Sequence, residues 1–169
     1  MSGADDGILV LATGGTFDKV YADALSEFRV GEPQAPGILE QARVDVAWRV
    51  EAVLAKDSLE LTDADRRALR ARVEASGARR VIITHGTDTM AETAEALAGG
   101  DGRTIVLVGA MQPARMRETD APFNLGFALA AVQLLVPGVY IAMNGRVFEA
   151  GRVRKDRRAG RFEATPPRG

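Results

Sequence analysis

The chain has 169 residues, of which 46% are hydrophobic and 27% charged, and its formal net charge is −1. This fits one globular domain and excludes fibrous and disordered classes, while the near-neutral charge gives no global attraction to nucleic acid or an anionic membrane. Cysteine is absent, which removes disulfides, thiol catalysis and cysteine-ligated metals together.

Met1 to Gly7 is small and acidic and runs directly into an apolar strand. It has no basic segment or small-residue cleavage site, so a secretory signal is not expected and a cytoplasmic location is. Ile8 to Ala12 is a continuous apolar run ending in Thr13-Gly14-Gly15-Thr16, which reads as a buried strand entering a tight turn. Phe17 to Pro36 is polar, with Gly31 and Pro33, and predicts a long functional loop of the lid type. Ile38 to Arg43 suggests a short helix, and Val44 to Ala55 one or two strands.

Thr62 followed by Asp63 and Asp65 marks a helix start; Leu69 and Val73 form its buried stripe and Gly77 its end. A strand over Val81 to Thr84, a helix from Thr89 to Leu97 and a strand over Thr104 to Val108 follow. After a loop with Pro113 come a helix near Asn124 to Leu135 and a strand over Val139 to Met143. Gly145 to Val153 reads as a β-hairpin turning at Glu149-Ala150-Gly151. The apolar stretch around Gly126 to Tyr140 contains Gln133 and Pro137 and is too short to span a bilayer.

Apolar strands alternating with helices predict an α/β fold with a mostly parallel sheet covered on both faces. Ligands in such sheets bind beyond the carboxyl ends of the strands. The polar clusters Thr13 to Thr16, His85 to Thr89 and Gly109 to Gln112 all follow predicted strands, so they should converge on one edge.

Each cluster has a plain structural reading. Gly14-Gly15-Thr16 makes a tight turn or an anion cradle, without the spacing of a Walker or dinucleotide motif. Thr87 or Asp88 caps the following helix, or Asp88 holds an ammonium group and Thr87 activates a water or acyl carbon. His85 has no second histidine or cysteine to join it as a metal ligand. The basic run Arg152, Arg154, Lys155, Arg157, Arg158 and Arg161 reads as a solvated strand or subunit contact rather than a nucleic-acid site, and Pro166-Pro167 as a frayed end.

Taken together, Thr13-Gly14-Gly15-Thr16 and His85-Gly86-Thr87-Asp88-Thr89-Met90 resemble the two signature motifs of the bacterial-type L-asparaginases. Val108 to Pro113 with Asp120 to Asn124 resembles a third block of that family, and Met143-Asn144 with Val153-Arg154-Lys155 a fourth. The resemblance runs from about Ile8 to Lys155. It implies a three-layer α/β/α, flavodoxin-like fold and hydrolysis of asparagine to aspartate and ammonia without metal or organic cofactor. Thr16 corresponds to the nucleophile, assisted by Tyr21 from the loop, and Thr87, Asp88 and Lys155 to a second hydroxyl–lysine–carboxylate triad. Gly15, Asp57, Ser58, Gly86 and Ala110 correspond to substrate-binding positions. Whether Tyr21 or Lys155 accepts the nucleophile's proton stays open, since a threonine hydroxyl needs a neighbouring base of some kind.

Family members of the familiar kind carry a second, C-terminal domain. Against them residues 1–169 correspond to a single N-terminal-type domain, with a more open site and weaker substrate binding expected. Apolar surface left uncovered should favour a homodimer or homotetramer. A small-amide hydrolase acting on glutamine or a dipeptide, and a non-catalytic amino-acid binder, are the competing readings.

Overall fold

The computed structural model describes residues 7–100 and 102–166. The amino-terminal segment read for a signal, except Gly7, and Pro167 of the expected frayed end lie outside them. In chain order the elements are β1 (Ile8–Gly14), β2 (Lys19–Ala22), β3 (Glu27–Val30), α1 (Ala35–Gln41), β4 (Trp48–Lys56), α2 (Asp63–Ala75) and β5 (Arg80–Thr84). Then follow α3 (Met90–Leu97), β6 (Thr104–Val108), α4 (Ala121–Leu134), β7 (Gly138–Met143), β8 (Arg146–Glu149), β9 (Val153–Asp156) and β10 (Arg161–Ala164).

The main sheet has the order β4-β1-β5-β6-β7-β8, parallel throughout except for β8. Every residue of β1 and of β6 is buried. Successive side chains of a strand point to opposite faces, so this burial requires an apolar layer on each side. The result is the expected three-layer α/β/α arrangement, and the order of the five parallel strands is the flavodoxin-like one. Its switch point lies between β1 and β5, the two strands that end in the threonine-bearing turns.

Local chemistry sets the helix starts. The Thr62 hydroxyl accepts the Asp65 N–H at 3.2 Å while the Asp65 carboxylate accepts the Thr62 N–H at 2.9 Å, a reciprocal capping box. Leu69 and Val73 of α2 are buried as expected, and Gly77 ends it with φ 70°. α1 and α4 both start three residues before the predicted first residue, because Pro36 and Pro122 sit in their first turns, where a missing N–H is not needed.

Three expectations need correction. The segment 17–36 is not an irregular loop: β2 and β3 form an antiparallel hairpin pairing Lys19 with Val30 and Tyr21 with Phe28. Each strand is only four residues long, β2 half-buried and β3 mostly exposed, so the alternation over Glu27 to Val30 is too short to stand out from the polar segment around it. The later hairpin turns at Asn144-Gly145, not at Glu149-Ala150-Gly151. With φ of 48° and 83° this pair suits the tight turn that right-twisted strands prefer. β8 therefore folds back on β7, and β9 pairs with β10 in a separate two-stranded sheet. Finally, 44–47 precede the single strand β4 rather than forming one. Among the described residues no helix is long and apolar enough to cross a membrane.

Candidate active site

The first turn is shaped by two glycines in the left-handed region, Gly14 at φ 103° and Gly15 at φ 72°. The register of β1 against β4 slips between Ala12 and Gly14, and the Gly15 N–H donates to the Lys56 carbonyl at 2.9 Å. The chain then enters a short 3-10 turn, Thr16–Asp18. The two threonines flanking the glycines part company here. The Thr13 hydroxyl is buried and donates to the Thr84 carbonyl at 2.8 Å, tying the end of β1 to the end of β5. Thr16 remains partly exposed.

The second turn lies against the first. A Cβ built on Gly15 would run into the Cα and N of Gly86, and one on Gly86 would meet the Ser58 Cβ and Oγ at 2.6 Å. Gly15 and Gly86 thus meet at the backbone and Gly86 lies against the Ser58 side chain, joining three segments distant in sequence. Thr89 reinforces this, its hydroxyl donating to the Ser58 carbonyl at 2.7 Å.

His85 is structural. Its Nδ1–H donates to the Gly86 carbonyl at 2.7 Å, so Nε2 accepts the Thr93 hydroxyl at 2.8 Å, and Thr93 in turn accepts Arg66 Nε–H at 3.0 Å. Complete burial pushes its pKa down to about 4, which keeps the ring neutral. Among the described residues no cluster of histidine, cysteine or carboxylate side chains could hold a metal ion.

Thr87, Asp88 and Lys155 come together as one group. Lys155 Nζ, on β9, donates to Thr87 Oγ1 at 2.7 Å and to Asp88 Oδ1 at 2.7 Å. The Lys155 side chain is only 15% exposed, so this charge-assisted contact is poorly screened. Arg157 Nε lies 3.9 Å from the same Asp88 oxygen, and a cleft of about 310 Å³ borders Asp88, Lys155, Arg157 and Glu92. A larger cleft, about 500 Å³, lies at the opposite, amino-terminal ends of β6 and β7, lined by Arg103, Gly138 and Tyr140 among others.

Ala110 is buried just past β6, and the amides of Met111 and Gln112 donate to the Asp120 carboxylate at 3.0 Å. Asn124 Nδ2 donates to the Gly109 carbonyl and to Asp120, and its Oδ1 accepts the Asn144 N–H. The third and fourth blocks therefore knit the 109–112 turn to the end of β7.

Tyr21 lies on the β2–β3 hairpin, paired with Phe28. It is 53% exposed on β2 with its ring edge against Phe28. Asp57 pairs with Lys19 of the same hairpin at 2.9 Å. Two residues adjoining Thr16 carry no sequence signal of their own: Lys19, and the buried Asp18, whose carboxylate accepts the Gln34 N–H at 2.9 Å. Burial pushes the Asp18 pKa up to about 6, against a smaller lowering by that hydrogen bond.

The family profile described as "Asparaginase, N-terminal" matches residues 7–164. The chain belongs to this asparaginase family. It is similar to the L-asparaginase of Thermococcus kodakarensis, with 33% identity over 161 residues, 88% of this chain and 47% of that one. The solved structure of the thermostable L-asparaginase from that organism superposes with a TM-score of 0.82 at 30% identity, over 94% of this chain and 51% of that chain. The probable cytoplasmic L-asparaginase of Campylobacter jejuni gives 0.78 at 29% identity, with the same coverage of 94% and 51%. A shorter match, 42% over 80 residues, joins 44% of this chain to 24% of the glutaminase-asparaginase of Acinetobacter glutaminasificans. The chain spans about half the length of the L-asparaginases it matches.

Proposed function

We propose that this chain hydrolyses the side-chain amide of L-asparagine, with the Thr16 hydroxyl as nucleophile. The observation that carries the reading is the Thr87–Lys155–Asp88 group, held on a turn whose Gly86 packs directly against Gly15, next to Thr16. A partly exposed hydroxyl beside an assembled lysine, hydroxyl and carboxylate is the arrangement that activating a threonine requires.

Thr16 Oγ1 attacks the amide carbon, its proton passing to Tyr21 as phenolate or, through Thr87, to Lys155 once it is a neutral amine. The C–N bond breaks, the nitrogen takes up a proton and ammonia leaves; water then cleaves the Thr16 ester to release aspartate. The Gly15 N–H is engaged by Lys56, so the oxyanion falls to backbone N–H groups of the 86–88 turn. Asp88 faces the substrate's α-ammonium and Ser58 its α-carboxylate, which selects a free amino acid over a peptide. The reaction written this way uses no metal or organic cofactor. The same reading takes residues 1–169 as one domain of this family, working in the cytoplasm as a homodimer or homotetramer.

Ammonia release from asparagine, glutamine and simple amides tests the proposal. Asparagine should be the best substrate, and Thr16→Ala should abolish release while leaving the circular dichroism spectrum unchanged. Full activity in that variant overturns the assignment.

A further inference from the structure

The resemblance places Asp57 among the substrate contacts, yet both of its carboxylate oxygens are engaged by the protein. Oδ2 lies 2.9 Å from Lys19 Nζ, and Oδ1 accepts the Leu59 N–H at 3.2 Å. The Lys19 hydrogen bond, followed by the Leu59 N–H and the charges of Lys19 and Lys155, outweighs partial burial and holds the Asp57 carboxyl below its usual range. A carboxylate held in this way is poorly placed to exchange its partner for an incoming ammonium.

Lys19 opens β2, so the ion pair joins the β2–β3 hairpin to the turn that carries Ser58. The hairpin is also fixed at its root. Asp18 accepts the Gln34 N–H with its side chain and the Gly31 N–H with its carbonyl, each at 2.9 Å, and a Cβ on Gly31 would meet Val20 at 2.8 Å. Past the root the hairpin is mostly exposed, Tyr21, Leu25 and Phe28 each about half so. The root sets where the hairpin pivots; the contact with Asp57 sets how far it leans toward Thr16.

We propose that Lys19 is a positioning residue whose ion pair with Asp57 latches the β2–β3 hairpin onto the Ser58 turn, so that Asp57 holds the hairpin and Ser58 alone on that turn meets the substrate. This rests on the assignment of Thr16 and Ser58 above. Both side chains of the pair are about one-third exposed, so salt weakens the latch.

Lys19→Met removes the charge and keeps most of the stem. The kcat for asparagine should fall about two- to fivefold, the range that a partly exposed ion pair supports. The salt dependence of kcat expected of the unaltered chain should weaken, and tryptic cleavage after Arg29 should become faster. Combining Lys19→Asp with Asp57→Lys should restore slow cleavage and most of kcat. Unchanged kcat and cleavage in Lys19→Met overturn the latch, as does Asp57→Asn raising KM severalfold while Lys19→Met leaves it unchanged, since Asp57 would then touch substrate directly. If the unaltered chain releases no ammonia, the proposed activity fails instead, and Arg29 cleavage alone decides the latch.

Discussion

Gly15 and Gly86 touch backbone to backbone, leaving no room for a side chain on the first. This contact joins the turn after β1 to the turn after β5, and it is possible only because those strands are neighbours at the sheet's switch point. Gly15→Ala should therefore suffer twice, from a strained φ of 72° and from overlap with Gly86. A loss of at least about 2 kcal/mol in urea unfolding is expected, with activity lost as well. A variant with unchanged midpoint and activity would mean that the turns can separate without consequence.

Lys155→Met should lower ammonia release by about 100-fold or more, the usual scale for removing a group that handles protons. Asp88 stays one-third exposed and so remains partly solvated when its partner is gone, so the fold should survive. Steady-state kinetics beside a thermal melt separate the two effects. Loss of activity accompanied by collapse of the melt would assign Lys155 to stability instead.

Asp18 and His85 bias the pH dependence of stability in opposite directions. The folded pKa of Asp18 is raised from 3.8 to about 6, so its favourable contribution is full below about pH 4 and is lost as pH rises through about 6. The folded pKa of His85 is lowered from 6.5 to about 4, so its contribution is full above about pH 6.5 and is lost as pH falls through about 4. Each shift corresponds to about 3 kcal/mol, and across pH 4 to 6.5 the two should largely cancel. Asp18→Asn removes one side of the balance. Its urea-unfolding free energy should exceed that of the unaltered chain by more at pH 6.5 than at pH 4; an equal difference at both would place the Asp18 pKa near its ordinary value.

Thr62→Ala serves as a control away from the site. Loss of the hydroxyl that accepts the Asp65 N–H should lower stability by about 1 kcal/mol with kcat and KM unchanged. A change in KM would show that the start of α2 communicates with the Ser58 turn.

The parts of the fold that are legible in the sequence are those governed by local rules. β1 and β6 are buried on both faces and read as continuous apolar runs; α2 carries its own cap, stripe and glycine stop. The glycine and threonine turns stand out as unusual because they follow such strands. The β2–β3 hairpin is not legible, because its four-residue strands bury little, and the alternation over Glu27 to Val30 is too short to mark a strand. Asn144-Gly145 is a strong turn signal, but the glycine at 151 competes with it, and only the return of β8 along β7 separates the two.

Composition and motif spacing alone thus determined the fold class, the strand-end location of the polar clusters and, through the family resemblance, the residues to watch. Only the tertiary structure decided that Thr13 is bonded to Thr84 while Thr16 is not buried, that Lys155 meets both Thr87 and Asp88, and that Asp57 belongs to Lys19. The reason is physical: strand propensity and capping act over a few residues, whereas burial and ion pairing depend on which distant strands the sheet places side by side.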